Sequence, residues 1–194
     1  MSGDGGWNME DRHFRRALEG FEERVRQVPA GAWHDSTPCA EWDVHTLVNH
    51  VVGELAWIPP LTAGQTIAEV GDRLDGDLLG ADPVDACRRA GAGALEAVGD
   101  PDVAARTVHL SFGDVPGREY LNQVTSDLTI HSWDLARAIG ADERLDAELV
   151  EAVYDYMAPQ ADLWRGAGVF ADAVPTAPDA DRQAQLLGLT GRRP

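Results

Sequence analysis

Apolar residues recur every three to four positions along most of this chain, the spacing of an amphipathic α-helix. The pattern predicts helices over residues 7–28, 44–58, 83–98, 118–139 and 146–157, and a shorter one over 182–189. Pro59 and Pro60 are expected to end the second helix, and Gly140 to cap the fourth. Little of the chain alternates as a strand does, so the predicted fold class is all-α.

The connections between these helices differ in length and in character. Residues 107–112 alternate weakly and precede Gly113 and Asp114, which favour a turn, so a small β-hairpin is expected near 106–117. The long connections are expected to be irregular: 59–81, with at most one helical turn, and 158–181. The long connections after the second and third helices, which are 59–81 and the hairpin region, indicate a four-helix bundle with crossovers rather than simple up-and-down winding.

A chain of 194 residues is long enough for one good hydrophobic core and short for two full domains. The predicted organisation is a disordered start, a helical bundle, and an extended tail whose short helix packs on the bundle: residues 1–6, 7–169 and 170–194 respectively.

The charge narrows the classes of partner. The net charge is -17, from 33 acidic and 16 basic residues, so neither nucleic acid nor an anionic membrane surface is expected to bind. No apolar run approaches the roughly 18 residues that span a bilayer, and no charged-then-apolar leader opens the chain. The two cysteines, Cys39 and Cys87, form no disulfide framework, which favours a cytoplasmic protein.

The fourth predicted helix carries an unusual pair. His131 falls in the apolar stripe between Leu128 and Leu135, where another leucine would be expected, and Asp127 lies one turn earlier on the same face. A carboxylate and an imidazole directed into a core need partners, and one metal ion satisfies both. A core histidine bonded to a backbone carbonyl is the alternative interpretation.

A third ligand is available on the second predicted helix. His50 borders the apolar stripe of that helix, and with Asp127 and His131 it supplies two imidazoles and one carboxylate. Three protein ligands leave positions open on zinc, the preferred ion, and on nickel or iron(II), which are compatible with the same set. A boundary histidine without a ligand role is the alternative interpretation of His50, since its position alone does not decide.

Two more carboxylates lie near these candidate ligands in the sequence. Asp134 follows His131 by one turn and either orients an imidazole N–H or pairs with Arg137 on the helix surface. Glu54 follows His50 by one turn and is a possible outer partner of the metal, although solvation is the expected outcome.

Cys39 and Trp42 stand just before the second predicted helix. No histidine general base is evident beside Cys39, so a buried structural thiol is expected there, and Trp42 is expected to be a packing residue.

Two separated motifs resemble one known family. They are Thr37-Pro-Cys-Ala-Glu-Trp-Asp-Val44, continuing through Leu47-Val-Asn-His50-Val-Val-Gly53, and Asp127-Leu-Thr-Ile-His131-Ser-Trp-Asp134-Leu-Ala-Arg137. Both resemble the mycothiol-dependent maleylpyruvate isomerase-like metal-binding proteins of the DinB/YfiT-like superfamily. The closing Leu186-Leu-Gly-Leu-Thr-Gly191-Arg192 resembles the end of its small, single-domain actinobacterial branch.

The resemblance implies a four-helix bundle that holds a divalent metal through His50, Asp127 and His131. The acidic ligand in the characterised members is commonly Glu, so Asp127 is a departure with a shorter arm. The isomerase proper has a further C-terminal domain, for which this chain has no room, so maleylpyruvate isomerisation itself is not expected.

Two functions follow from the resemblance and the candidate ligands. The first is a thiol-dependent transferase or isomerase, in which mycothiol or another low-molecular-weight thiol acts on a small electrophilic substrate. The second is a non-catalytic, metal-stabilised binding or stress-response module. A homodimer is compatible with either function.

Overall fold

Ten helices and strands make up most of the computed structural model, which describes residues 9–168 and 171–194. The helices are α1 (Met9–Gln27), α2 (Val44–Thr62), α3 (Ile67–Val70), α4 (Pro83–Val98), α5 (Gly117–Ile139), α6 (Ala147–Met157), α7 (Ala161–Gly166) and α8 (Arg182–Leu189), and the strands are β1 (Thr107–Leu110) and β2 (Gly113–Pro116). The predicted disordered start, residues 1–6, lies outside the described residues, as do residues 169 and 170 at the predicted start of the tail.

Four long helices, α1, α2, α4 and α5, enclose the main core. Helices α1 and α2 each pack against both α4 and α5. The buried side chains recur at the predicted helical spacing: Phe14, Leu18, Phe21, Leu47, Val51, Leu55, Ala94, Val98, Leu121, Leu128 and Leu135. The all-α prediction is therefore confirmed, with the hairpin as its small β component.

The order of the helices around the bundle agrees with the predicted crossovers. Helices α4 and α5 lie diagonally across the bundle from one another, as the crossover predicted between them requires, and so do α1 and α2. Helices α2 and α4 are direct neighbours and run parallel, because Asn49 near the start of α2 bonds Gly76 and Leu78 just before α4, and Gly93 of α4 lies beside Pro59 near the end of α2. The connection between them is therefore a crossover, as predicted, and it carries the short helix α3 and a series of turns back along the bundle.

Helix α2 does not end at its two prolines. It continues through Pro59 and Pro60 to Thr62, so the predicted end at residue 58 is wrong. The proline φ angle is compatible with a helix, although each proline removes one N–H donor and crowds the carbonyl four residues earlier. Leu61 is buried in the core, and the Thr62 hydroxyl donates to the Ile58 carbonyl at 2.7 Å. These interactions hold the last turn in place.

The hairpin forms where the sequence predicts it, with a different turn. Leu110 pairs with Gly113, so the turn consists of Ser111 and Phe112 rather than Gly113 and Asp114. In this register the buried Val108 lies opposite Val115, so both can face the bundle.

The C-terminal helices form a second, smaller core on α5. Helices α6 and α8 pack together around Ile130, Val150, Val153, Met157 and Leu186. Helix α7 lies inside a segment that is predicted to be irregular, so that prediction is wrong over residues 161–166. Its short length and the exposed Leu163 explain the weak periodicity. Within the described ranges, no helix is long and apolar enough to cross a membrane.

Candidate metal centre

Helix α5 carries three of the side chains that the sequence singles out. Gly140, with φ of 68°, ends the helix in the left-handed conformation that glycine adopts without strain. Between its ends, Asp127, His131 and Asp134 follow at intervals of four and three residues and share one face. His131 and Asp134 are buried, whereas the Asp127 side chain is about one-third exposed.

His50 of α2 meets this face. Its Nε2 atom lies 3.3 Å from Asp127 Oδ2, and His131 Nε2 lies 3.2 Å from Asp127 Oδ1. One donor atom from each of the three side chains lies within 4.8 Å of the others. The structure therefore brings together the three residues that the sequence selects as metal ligands.

The arrangement has the donor atoms and spacing that a divalent ion requires. Asp127 Oδ2 is buried and has no hydrogen-bond partner among the described residues, despite the nearby imidazole of His50. Donor atoms bound at about 2.0–2.1 Å around tetrahedral zinc are themselves about 3.3 Å apart. The two nitrogen–oxygen distances match this separation, so an ion between the donors would satisfy the unpaired oxygen.

Burial and charge together set the protonation of the cluster. Burial raises the pKa of Asp127, but the imidazoles of His131 and His50 outweigh it and hold that pKa well below its usual range. Burial lowers the pKa of His131, yet the charge of Asp127 and hydrogen bonds to Asp127 and Asp134 raise it well above its ordinary value. Without a metal, His131 thus carries a proton that a bound ion must displace.

Asp134 holds the other nitrogen of His131. The carboxylate is completely buried, and its Oδ2 atom lies 3.0 Å from His131 Nδ1. An N–H at Nδ1 leaves the lone pair of Nε2 free for a metal. Arg137 instead pairs with Glu143 at 2.6 Å, so the structure favours the orienting role of Asp134 over the surface ion pair.

Asp134 also accepts hydrogen bonds from Arg192 and Cys39. Arg192 donates from Nη2 to Asp134 Oδ2 at 2.8 Å, and the Cys39 thiol donates to the same oxygen at 3.2 Å. Cys39 Sγ lies 3.7 Å from His131 Nδ1. The expectation that no histidine stands beside Cys39 is therefore wrong, and the thiol is half-buried rather than buried. The cause is tertiary, because 92 residues separate Cys39 from His131.

Cys39, His131 and Asp134 form a second possible donor set that shares His131 with the first. A cation there would lie beside the Arg192 guanidinium, which remains charged at every accessible pH. Asp134 already has its charge balanced by that guanidinium. In the described part of the chain, no guanidinium pairs with Asp127, so the set of His50, Asp127 and His131 is the better candidate for a metal site.

The loop before α2 positions Cys39 and Trp42. The Thr37 hydroxyl donates to the Trp42 carbonyl at 2.9 Å and accepts from the Cys39 N–H at 3.1 Å. Glu41 adopts a left-handed φ of 69°, a conformation that costs about 1–2 kcal/mol in a residue other than glycine. The resulting turn places the Trp42 ring with its centroid 4.8 Å from that of His50 and 5.7 Å from that of His131.

Glu54 lies one turn beyond His50 on α2, and it is half-buried rather than solvated as expected. Burial raises the pKa of Glu54, and the negative charge of Asp127 raises it further. Its carboxyl group can therefore hold a proton close to the cluster at a pH where an exposed glutamate would be ionised.

Sequence reasoning does not select Arg192, and it underestimates Cys39 and Trp42. Trp42 contacts the core, as a packing residue should, but it also covers both imidazoles. The available signals are a cysteine and a tryptophan beside a helix N-cap and a pair of arginines, Arg192 and Arg193, after Gly191. None of these patterns by itself indicates a contact with α5.

The comparisons with known proteins agree with this architecture. Residues 14–136 match the family described as the mycothiol maleylpyruvate isomerase N-terminal domain. Two uncharacterised proteins of Mycobacterium tuberculosis, from strains CDC 1551 and H37Rv, are each 35% identical over 183 residues, which cover 92% of this chain and 96% of theirs.

Two crystal structures of mycothiol-dependent maleylpyruvate isomerase share the fold. A histidine-to-alanine mutant superposes with a TM-score of 0.70 and a second structure with 0.65, each at 15% identity over 95% of this chain and 88% of the isomerase chain. An alignment over that share of the isomerase does not fit the expectation that this chain lacks a whole domain of it. With the family match over residues 14–136 and the mycobacterial relatives along almost all of its length, this chain belongs to the family of the mycothiol maleylpyruvate isomerase N-terminal domain.

Proposed function

We propose that this protein binds one divalent metal ion through His50, Asp127 and His131 and uses it in thiol-dependent chemistry on a small electrophile. The observation that carries the proposal is the convergence of these three donors around a buried Asp127 oxygen without a hydrogen-bond partner among the described residues. Zinc is the ion that suits two imidazoles and one carboxylate with an open position. Nickel and iron(II) are compatible with the same donors.

The metal, when bound, would act as a Lewis acid that lowers the pKa of a thiol. The protein supplies orientation: Asp134 fixes the His131 ring through Nδ1, and Arg192 balances the charge of Asp134. His50 and Asp127 are each about one-third exposed, whereas His131 is buried, so thiol and substrate approach from the side of His50 and Asp127.

Glu54 is the group placed to handle the proton of the thiol. Its pKa is raised by burial and by the charge of Asp127, which makes the carboxylate a better proton acceptor than an exposed glutamate. In a transfer reaction, the thiolate adds to an electrophilic carbon and the proton ends on the product. In an isomerisation, the thiolate adds to a conjugated double bond, the resulting single bond rotates, and elimination restores the double bond and the thiol.

The family name supports mycothiol as the thiol, because the matching family and the superposing crystal structures are described by their dependence on it. The proposed partners are accordingly a low-molecular-weight thiol and a small-molecule substrate. A net charge of -17 supports the exclusion of nucleic acid.

Metal analysis tests the ligand assignment directly. Purified wild-type protein should hold close to one ion per chain by mass spectrometry, and His50→Ala and His131→Ala should each lose most of it. His109→Ala is the matched control, because His109 also contacts a carboxylate, Asp114 at 2.7 Å, but away from the three donors. Full metal content in His131→Ala would refute the assignment of this ligand.

Cobalt substitution separates an enzyme from a structural metal site. In the Co(II)-loaded protein, added mycothiol should produce a new thiolate-to-metal charge-transfer band that Glu54→Gln weakens at neutral pH without abolishing cobalt binding. A visible spectrum that mycothiol leaves unchanged would instead support the non-catalytic, metal-stabilised module.

A further inference from the structure

A cavity lies between α1, α5 and the beginning of α6, away from the candidate metal centre. Its volume is about 360 Å³, within the range of small-molecule sites. Gly20, Arg24, Thr129, Ser132, Leu145 and Leu149 are among its lining residues. Ser132 follows His131 directly, but a helix turns about 100° per residue, so the cavity lies on a different face of α5 from the candidate metal ligands.

Two buried polar atoms of the lining have no hydrogen-bond partner among the described residues. They are the hydroxyl oxygen of Ser132 and the Nε atom of Arg24. Ser132 is only 3% exposed, so its hydroxyl has lost bulk water without gaining a protein partner. A buried polar group in this condition costs stability unless a ligand or an ordered water satisfies it.

Arg24 also brings a charge that no carboxylate balances directly. Its guanidinium donates to the backbone carbonyls of Gly20, Asp142 and Arg144 at 2.9, 3.4 and 2.8 Å. Within the described part of the chain, no carboxylate lies within ion-pair distance of Arg24. The Asp142 carboxylate is engaged at 2.8 Å by Arg144.

The other charges around the cavity are compensated or peripheral. Arg16 pairs with Glu148 and lies 3.6 Å from Asp146. The Asp146 carboxylate itself caps α6, accepting from two backbone N–H groups. Glu19 is exposed at the rim. The half-buried guanidinium of Arg24 is thus the charge with the greatest need of an anion.

The cavity also has an apolar part, formed by Ala17, Leu145 and Leu149. Gly20 contributes no side chain, and a Cβ atom built there would meet only Arg24 Nη1, at 3.6 Å. A ligand that fits this lining has an oxyanion for Arg24 and Ser132 and a short apolar body for the remaining wall.

We propose that this cavity is a second ligand site, separate from the metal centre, that binds a small carboxylic acid with a short apolar chain. Rotation of the Arg24 and Ser132 side chains lets the carboxylate accept from Arg24 Nε and from the Ser132 hydroxyl, and the chain lies against the leucines. The site requires neither the metal nor the thiol, so it stands or fails independently of the proposed function.

Calorimetric titration with hexanoate tests the chemistry of the ligand. Full-length protein should bind one hexanoate per chain, with the same affinity before and after removal of metal by a chelator. Hexanol, which lacks the charge, and inorganic phosphate, which lacks the apolar chain, should each bind at least tenfold more weakly. Equal or tighter binding of either probe, binding only to metal-loaded protein, or no saturable binding would overturn the proposal.

Variants test the location. Ser132→Ala should weaken hexanoate binding roughly tenfold, the effect of one hydrogen bond to a charged group. Ser126→Ala is the matched control, since Ser126 is equally buried on α5 and donates to the Asn122 carbonyl outside the cavity. It should change the affinity less than twofold. An equal effect of the two variants would exclude this cavity as the site.

A second variant keeps the test decisive if Ser132→Ala folds poorly. Gly20→Leu replaces a poor helix former by a good one and directs a side chain into the cavity. It should abolish measurable hexanoate binding while metal content remains that of the wild type. Unchanged hexanoate affinity in Gly20→Leu would contradict the proposed position of the ligand.

Discussion

Replacing Asp134 by alanine should destabilise the protein more than any ordinary surface change. The substitution leaves the Arg192 guanidinium and the His131 imidazole without their buried acceptor. Removing one partner of a buried ion pair costs about 3–5 kcal/mol. Arg192 keeps 15% of its side chain exposed and still donates to the Thr190 carbonyl, so we expect the lower end, about 3 kcal/mol. The melting temperature should then fall by about 6–12 °C, at roughly 2–4 °C per kcal/mol for a chain of this size.

The matched control is Asp142→Ala. Asp142 and Arg144 are 2.8 Å apart, the same distance as Asp134 and Arg192, but their side chains are 61% and 87% exposed. Water screens an exposed pair, so it contributes far less than a buried one. Urea denaturation of the metal-free proteins at pH 7 and equal salt compares the two losses. If both variants lose the same free energy of unfolding, burial is not what makes the Asp134 pair important.

Metal affinity gives a second readout of the same change. Partners that orient a metal-bound imidazole typically contribute about 10–100-fold in affinity. Competition with a chelator should show a loss of this size in Asp134→Ala and none in Asp142→Ala. Unchanged affinity in Asp134→Ala would contradict the orienting role of this carboxylate.

Three further predictions concern protons and packing. Zinc uptake at pH 7 should release about one proton per ion, because the pKa of His131 in the folded, metal-free protein is raised and the ligand must be neutral. Calorimetry in two buffers of different ionisation enthalpy measures this release, which should decline as the pH rises through that raised pKa; a heat independent of the buffer would contradict it. Glu54→Gln should stabilise the metal-free protein at pH 8 but not at pH 4. The pKa of Glu54 is raised in the folded state, so the wild type loses stability as the pH rises through that pKa, and glutamine does not. An equal effect at both pH values in urea denaturation would refute this reasoning. Gly117→Ala should lower the free energy of unfolding by about 2–3 kcal/mol, since its Cβ would lie 2.0 Å from the Val103 carbonyl oxygen. Gly93→Ala, whose Cβ would lie 3.8 Å from its nearest neighbour, should raise that free energy by up to about 1 kcal/mol.

The parts of the fold and site that depend on local periodicity could be predicted from the sequence. The face of α5 is one example, because the apolar stripe through Leu128 and Leu135 is enough to make His131 a core position, and all three side chains are buried. The spacing of four residues then fixes Asp127 on the same side. The meeting with His50 requires two helices to be neighbours, which the family motifs indicate and periodicity alone does not.

The parts that depend on contacts between distant segments could not be predicted in this way. Cys39 and Arg192 are 153 residues apart in sequence, yet they meet at 3.5 Å on Asp134. Neither the loop sequence before α2 nor the tail sequence after α8 has a local pattern that predicts this contact. The end of α2 beyond Pro60 is a similar case, because the burial of Leu61 outweighs the local preference of the prolines.

The contact between Arg192 and Asp134 also has a consequence for the biosynthesis of the protein. Arg192 is translated 58 residues after Asp134, which at 5–20 residues per second is about 3–12 s later. During that interval Asp134 lacks its counter-ion, so we expect the proposed ligand His131 to reach its final orientation only after Arg192 has been added. We then expect loading of the proposed metal ion to follow the synthesis of Arg192, and the growing chain to be open to chaperones until that point.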